Sequence, residues 1–216
     1  MSMVWDWHNV VKLQLPHLEK PLEVIPTTRV SDLVLMHKDC DHCWTMDGIH
    51  WSPQNEKPIS NGEGENEVPI AHDLKLEYQF MEKIEDRMLG GHYWKESGFC
   101  FEGQCSSDSD EANDSQTKHE LVVYGVQDSY PEKFATLGDG YLGLGTSNGY
   151  DGTSDTNILE QMYAQGMIDS KVFGVHTHMY NSTEDPSTIR FGGINEQMFE
   201  EGHELLWVDT VFKGTW

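Results

Sequence analysis

Basic residues are scarce in this chain. It has 14 Lys and Arg against 37 Asp and Glu, which gives a formal net charge of −23 over 216 residues. Such an acidic chain repels the phosphate backbone of nucleic acids and the headgroups of anionic lipids. Nucleic acids and membrane surfaces are therefore not expected as partners.

Long apolar runs are also missing. No segment approaches the roughly 18 apolar residues that a membrane-spanning helix needs, so no membrane insertion is expected. The first nine residues carry Trp5, Asp6, Trp7 and His8 rather than a basic segment followed by an apolar one, so no signal peptide is visible. The sequence is therefore that of a processed form or of an intracellular protein.

The chain lacks the usual signatures of cofactor and metal chemistry. It has no phosphate-binding glycine loop, no Ser-His-Asp set in a recognisable context and no helix with paired metal ligands. His176 and His178 share one face of a predicted strand, about 7 Å apart. They have no third ligand nearby in sequence, so a solvated strand face is favoured over a metal site. We expect no cofactor and no metal.

The residues that are present indicate a β-rich domain. Twenty Gly, eight Pro and short alternating runs favour a mainly β architecture with one or two short helices, and 37% hydrophobic residues suffice for one core. Neither an internal repeat nor a dividing linker is visible, which predicts one domain over 1–216. Residues 106–118 form an acidic Ser, Asp and Asn run, which predicts a mobile surface loop.

Local patterns place the main elements. Alternation predicts a half-buried strand at 10–15, two apolar strands joined by a loop within 22–36, and a further strand at 74–78. Asp155 or Thr156 can cap a helix from about Asn157 to Ala164, with Gly166 just past its end.

Several motifs together resemble the first lobe of pepsin-like aspartic proteases. Residues 22–26, a triplet and then residues 30–35 are similar to the strand, active-site loop and strand that carry Asp-Thr-Gly-Ser-Ser in that family. Residues 139–145, Asp-Gly-Tyr-Leu-Gly-Leu-Gly, resemble the run beneath that loop. Residues 158–173, 191–194 and 206–208 resemble the helix and strands that follow. The resemblance covers nearly the whole chain and implies one mainly β lobe, a double-psi β-sheet sandwich.

The last residues, 211–216, resemble the segment that crosses from the first lobe into the second. The resemblance therefore implies that this chain is one lobe of a normally two-lobed protein. Its second lobe or another partner is then expected to cover the lobe interface.

The catalytic triplet implied by the resemblance is altered to Thr27, Thr28 and Arg29. An aspartic protease needs two carboxylates that share one proton, and a threonine hydroxyl cannot act as that general base near neutral pH. A long cation at the glycine position would obstruct the water pocket. We expect the chain to have no catalytic residues.

No other triplet replaces it, because neither Asp-Thr-Gly nor Asp-Ser-Gly occurs anywhere in the chain. Asp155-Thr156-Asn157 comes nearest but lacks the glycine, and it is better explained as a helix N-cap. Asp139, with Gly140 and Gly143, is expected to form a structural turn under the site.

The flap implied by the resemblance is also changed. Tyr78 matches the flap tyrosine of the family, but Gln79, Phe80 and Met81 stand where glycines are usual. Side chains at this tip would stiffen it, and an ordinary strand aromatic explains Tyr78 equally well.

The four cysteines lie in two close pairs, Cys40 with Cys43 and Cys100 with Cys105. The even count and the pairing favour local disulfides in an oxidising compartment, and the family often has small disulfide loops at both places. A zinc site is the alternative, because residues 37–43 also hold two histidines and two aspartates. Asn113 and Asn181 begin glycosylation sequons, which agree with a lumenal or extracellular location.

Two functions follow from these features. The first is an inactive lobe that acts as a structural or binding subunit of a larger assembly, with Trp5, Trp7, Phe212 and Trp216 as the expected contacts. The second is one half of an aspartic endopeptidase that pairs with a second lobe or chain carrying a carboxylate.

Overall fold

A computed structural model provides the structure of this protein. It describes residues 10–28, 30–41, 43–45, 49–54, 58–59, 70–74, 87–101, 119–130, 134–136, 138–145, 156–176, 187–194 and 206.

The described part of the chain is mostly β-strand, with one short helix. In chain order the elements are β1 (Val11–Gln14), β2 (Leu22–Thr27), β3 (Leu33–Met36), β4 (Cys43–Thr45), β5 (Ile70–Leu74), β6 (Arg87–Ser97), β7 (Cys100–Phe101), β8 (Glu120–Tyr130), β9 (Phe134–Thr136), β10 (Gly140–Gly143), α1 (Ile158–Ala164), β11 (Phe173–His176) and β12 (Thr188–Phe191). The prediction of a mainly β fold with one or two short helices is confirmed.

One mixed sheet of eight strands organises the fold. Its order is β5-β6-β8-β3-β10-β2-β1-β7, and two smaller sheets pair β11 with β12 and β4 with β9. β10 enters between strands that are nearly adjacent in sequence, running parallel to β2 and antiparallel to β3. The loop between β2 and β3 therefore spans the end of β10.

Glycine is needed where β10 approaches its neighbours. A Cβ atom on Gly140 would lie 2.1 Å from the carbonyl oxygen of Val34. This distance is far shorter than a van der Waals contact. Because the contacted atom belongs to the backbone, a side chain at position 140 would require the strand to move.

The main core lies on one face of the large sheet, where buried residues from β1, β2, β3, β8 and α1 meet. Its largest fully buried side chains are Trp51 and Trp94, whose rings pack edge to face with centroids 5.5 Å apart. Gly125 makes room for them, since a Cβ there would come within 2.7 Å of both rings. Large aromatic side chains bury more apolar area than other side chains and therefore dominate the stability of a core.

The helix begins one residue later than its sequence pattern predicts. Asn157 is the N-cap, and its Oδ1 accepts hydrogen bonds from the backbone N–H groups of Leu159 at 2.9 Å and Glu160 at 3.2 Å. The prediction of Asp155 or Thr156 as the cap is wrong, because Asn157 caps the helix and the Thr156 hydroxyl donates to Asp32 instead. Gly166 follows the helix with φ of 68°, the left-handed conformation that favours glycine.

The cysteine prediction is confirmed for the first pair. Cys40 and Cys43 form a disulfide, so their sulfurs cannot be zinc thiolates and the zinc alternative is wrong. Cys100 is also disulfide-bonded, while its predicted partner Cys105 lies outside the described residues.

Several predictions concern residues that the structure does not describe. These are Arg29, the flap Tyr78, the acidic loop 106–118, the sequons at Asn113 and Asn181, Asp155, His178, and the aromatic residues 5, 7, 212 and 216. Within the described ranges, no helix has the length and apolar character needed to cross a membrane.

Candidate functional site

The candidate site is the loop between β2 and β3. Thr27 is the last residue of β2 and pairs with Gly143 at the end of the parallel strand β10. The backbone N–H of Leu144 donates to the Thr27 carbonyl at 2.7 Å, and that of Gly145 donates to the Val30 carbonyl at 2.8 Å. The exit of β10 thus holds both sides of the loop.

The loop and β10 approach too closely for side chains between them. A Cβ on Gly143 would lie 2.3 Å from the backbone oxygen of Asp32, and one on Gly145 would lie 2.7 Å from that of Thr28. Both glycines are therefore required by the backbone path. Thr27 is half-buried here, while Thr28 is exposed.

A buried carboxylate closes the other end of the loop. Asp32 is 2% exposed, and three hydroxyl groups donate to it. Tyr93 Oη donates to Oδ2 at 2.7 Å, Thr156 Oγ1 to Oδ1 at 2.8 Å, and Ser31 Oγ to Oδ1 at 3.1 Å. Both oxygens are thus occupied by the protein itself, which suits a structural carboxylate better than a general base that must reach water.

These partners come from distant parts of the chain. Tyr93 is on β6, and Thr156 lies just before α1. Asn157 adds a further link, because its Nδ2 donates to the carbonyl of Gly145 at 2.8 Å. The loop is therefore fastened to β6, to β10 and to the beginning of the helix at once.

Asp139 lies at the opposite end of β10. Its Oδ2 accepts from the backbone N–H of Glu23 at 2.8 Å, and its own N–H donates to the Glu23 carbonyl at 2.7 Å. Thr27 is four residues further along β2, which corresponds to roughly 13 Å at the rise of a strand. Asp139, buried beside Gly140, therefore joins strands away from Thr27.

The structure describes the two strands of the predicted flap but not the tip between them. β5 and β6 form an antiparallel hairpin whose register runs from Ile70 opposite Gly91 to Leu74 opposite Arg87. The strand thus starts before the predicted range of 74–78, because residues 70–73 also pair. The hairpin tip with Tyr78 lies outside the described residues.

Comparison with protein families decides the membership of the chain. A model of the eukaryotic aspartyl protease family matches residues 96–216, more than half of the sequence. The chain belongs to the eukaryotic aspartyl protease family. No curated protein gives a significant match. The family match begins after β2, so the place of Thr27 within the family rests on its pairing with β10.

For a member of this family, the described site is poor in reactive groups. Thr27 and Thr28 supply only hydroxyl groups. Both carboxylate oxygens of Asp32 already accept hydrogen bonds from protein hydroxyls. Across the described ranges, no cluster of three or more His, Cys, Asp or Glu is placed to hold a metal ion. His176 ends β11, where its predicted neighbour His178 is not described.

Sequence reasoning missed Asp32. A hint was available, because a lone acidic residue between Val30 and the buried run Leu33–Met36 is unusual unless it has partners. Its donors could not be inferred, since Tyr93 and Thr156 are 61 and 124 residues away in sequence.

A second group of titratable residues lies on the other face of β6. Tyr93 faces Asp32, whereas the adjacent Trp94 points to the opposite side, where His37 stacks on it with centroids 4.8 Å apart. Burial lowers the pKa of His37, because the imidazolium loses hydration there. Burial raises the pKa of Glu96, because its carboxylate loses hydration.

Proposed function

We propose that this chain is a catalytically inactive pepsin-like lobe that serves as a structural or binding subunit of a larger assembly. The observation that carries the proposal is the residue at the end of β2. Thr27 pairs with Gly143 and is tied to Leu144, at the position where the sequence resemblance expects the catalytic aspartate.

The chemistry at that position supports inactivity. The family mechanism requires two carboxylates sharing one proton, so that one accepts a proton from water while the other protonates the peptide carbonyl. A threonine hydroxyl is not ionised near neutral pH and cannot take the first role.

Neither nearby buried aspartate offers a substitute. Asp32 would have to give up donors from Tyr93, Thr156 and Ser31 to engage water, and Asp139 lies at the far end of β10. Moving a well-bonded buried carboxylate out of such a network costs several kcal/mol, on the order of 3–5. Asp32 and Asp139 therefore have structural roles and do not replace a catalytic carboxylate.

The binding role is supported by the sheet of β11 and β12, where one apolar side chain is exposed. β11 and β12 pair with each other, and a two-stranded sheet has little stability unless it is covered. Phe173 and Phe191 pack inward against the core, while Val175 on β11 is 54% exposed. Within the described ranges no third strand pairs with β11 or β12, and an unpaired strand edge can pair with another chain.

Cleavage of an unfolded protein at acid pH tests the inactivity. We expect no cleavage that a transition-state mimic of the peptide bond inhibits, either from the chain itself or from a Thr27→Asp, Arg29→Gly double variant that restores the triplet. The double variant fails because the chain contains no second Asp-Thr-Gly or Asp-Ser-Gly. Inhibitable cleavage by the unaltered chain would instead support the endopeptidase half that pairs with a second lobe or chain.

The apparent size of the protein in extract from its source tests the binding role. We expect it to elute in an assembly larger than one chain, and we expect Val175→Asp to release it. Tyr163→Ser is the matched control, because Tyr163 is 46% exposed but lies on α1. Elution as a single chain before any substitution would contradict the proposal.

We also propose a lumenal or extracellular location. The Cys40–Cys43 disulfide supports it, because such bonds persist mainly in oxidising compartments. Reaction of both cysteines with a thiol reagent in freshly opened cells would argue for an intracellular protein instead.

A further inference from the structure

Glu96, near the end of β6, is a buried carboxylate with one unsatisfied oxygen. It is 0% exposed, and its Oε1 accepts from the backbone N–H of Gln54 at 2.9 Å. Its Oε2 is buried and has no hydrogen bond within the described part of the chain. A buried acidic oxygen without a donor is costly unless a proton or a cation satisfies it.

His17, in the turn after β1, is the described ionisable side chain beside that oxygen. Its Nδ1 lies 3.7 Å from Glu96 Oε2, and its side chain is 22% exposed. Its Nε2 lies 2.8 Å from the backbone oxygen of Ser52. A carbonyl can only accept, so Nε2 carries a hydrogen and Nδ1 of the neutral ring is an acceptor. Two acceptors thus face each other at an ion-pair distance, and a proton on either one replaces the repulsion of their lone pairs by attraction.

Within the described ranges, no competing charge lies next to Glu96. Among the described residues, His17 is the ionisable side chain whose charge acts on Glu96. The adjacent Lys95 instead lies 3.9 Å from Glu120 on the exposed side of the sheet. The Trp51 indole N–H opposes the rise in the pKa of Glu96, but it is not in hydrogen-bonding geometry. His17 is therefore the described ionisable side chain that can share a proton with Glu96.

We propose that Glu96 and His17 share one proton that clamps the turn after β1 and residues 51–54 onto the end of β6. The proton can sit on either residue, as a neutral acid beside a neutral imidazole or as an ion pair. When it leaves, a buried carboxylate faces an imidazole lone pair and the clamp opens. The fold is thereby stabilised at this place in acid and loosened towards alkaline pH.

The clamp acts on a segment that matters for the core. Gln54 also accepts from the hydroxyl of Ser97 at 2.9 Å, on the same strand as Glu96. Trp51 donates through its backbone to Met36 at 2.7 Å and accepts from Lys38 at 2.8 Å. Opening the clamp would therefore loosen the segment that places the Trp51 ring against Trp94.

The sign of the effect follows from proton linkage. Because the pKa of Glu96 is raised in the folded state, folding binds the proton more tightly than the unfolded chain does. The contribution is present below the unfolded pKa and is lost as pH rises through the raised folded pKa.

His37 limits the acid side of this window. Its burial lowers its pKa, so its contribution is lost as pH falls through the folded pKa, opposite to Glu96. Asp39 raises the pKa of His37, whereas Lys38 and His92 lower it further. Glu96 and His37 therefore contribute opposite slopes to the dependence of the free energy of unfolding on pH.

A comparison of the wild type with Glu96→Gln across pH tests the clamp. We expect the ratio of their unfolding equilibrium constants to change by up to about tenfold per pH unit between the unfolded pKa of Glu96 and its raised folded pKa, with the wild type losing stability as pH rises. The control, Glu19→Gln, removes an exposed carboxylate two residues from His17 and should give a constant ratio. Parallel stability curves for wild type and Glu96→Gln would overturn the proposal.

Two further measurements keep the test valid if Glu96→Gln does not fold. In the wild type, hydrogen exchange at the Gln54 amide should accelerate with pH more than its intrinsic rate does, because that amide donates to Glu96. His17→Phe keeps a ring but removes Nδ1, so its loss of stability should shrink severalfold as pH rises and the wild-type clamp opens. Exchange that follows the intrinsic rate, or a His17→Phe effect independent of pH, would each contradict a shared proton.

Discussion

The two ends of the loop between β2 and β3 lie in opposite environments. At its start, Thr28 is exposed and Thr27 is half-buried, and neither is acidic. At its end, Asp32 is 2% exposed and receives hydrogen bonds from three hydroxyl groups. The backbone frame of a pepsin-like lobe thus does not depend on an acid at position 27, because the frame is held from Asp32 and β10.

A second buried carboxylate sharpens that comparison. Asp32 has donors on both oxygens, whereas Glu96 has one oxygen without a hydrogen bond among the described residues. Donors on both oxygens fix the groups around a carboxylate, while an oxygen without a donor leaves a place for a proton. Asp32 therefore fastens the loop, whereas Glu96 carries the proposed proton.

The largest effect is expected from removing the acid that holds the loop. Asp32→Ala leaves the buried hydroxyls of Tyr93 and Thr156 without their acceptor, and should lower the free energy of unfolding by about 3–5 kcal/mol. Chemical denaturation measures this loss. Thr28→Ala at the exposed start of the loop is the control and should change stability by less than about 0.5 kcal/mol. Equal effects at both positions would break the contrast between the two ends.

A smaller loss is expected where β10 meets the loop. In Gly143→Ala the new Cβ would lie 2.3 Å from the backbone oxygen of Asp32, so the loop or the strand must shift. We expect about 2–3 kcal/mol of destabilisation in thermal unfolding. Gly193→Ala is the matched control, because a Cβ there has no atom within 4 Å. A Gly143→Ala variant as stable as the control would show that the approach is looser than described.

The smallest effect comes from removing one donor and keeping the acid. Tyr93→Phe deletes the hydroxyl that donates to Asp32 Oδ2 at 2.7 Å and should cost about 1–2 kcal/mol in chemical denaturation. Tyr163→Phe removes an exposed hydroxyl on α1 and should cost less than about 0.5 kcal/mol. If Tyr93→Phe were equally mild, Asp32 would rely on its other donors.

Sequence could predict the parts of this molecule that depend on local patterns. Strands at β1, β2 and β3 follow from alternation and apolar runs, and the Cys40–Cys43 disulfide follows from close spacing. The helix was found within one residue at its start. Its cap was misplaced because Thr156 and Asn157 are both good capping residues, and only tertiary contact with Asp32 decides between them.

The rest could not be predicted because it depends on contacts that are distant in sequence. The Asp32 network joins residues from β6 and the start of α1, and the Glu96 pair joins β6 to the turn after β1. A single sequence shows that such residues are polar within apolar surroundings, but it does not show which donors reach them.

The most direct test of the central claim is an assay of the protein as it exists in its source. The tagged chain, purified together with whatever it binds, would be incubated with an unfolded protein at acid pH, with and without a transition-state mimic of the peptide bond. The account predicts no cleavage that the mimic blocks, because Thr27 stands at the end of β2 and Asp32 is committed to its three donors. Mimic-sensitive cleavage that is lost when Thr27 is changed to Val would contradict it.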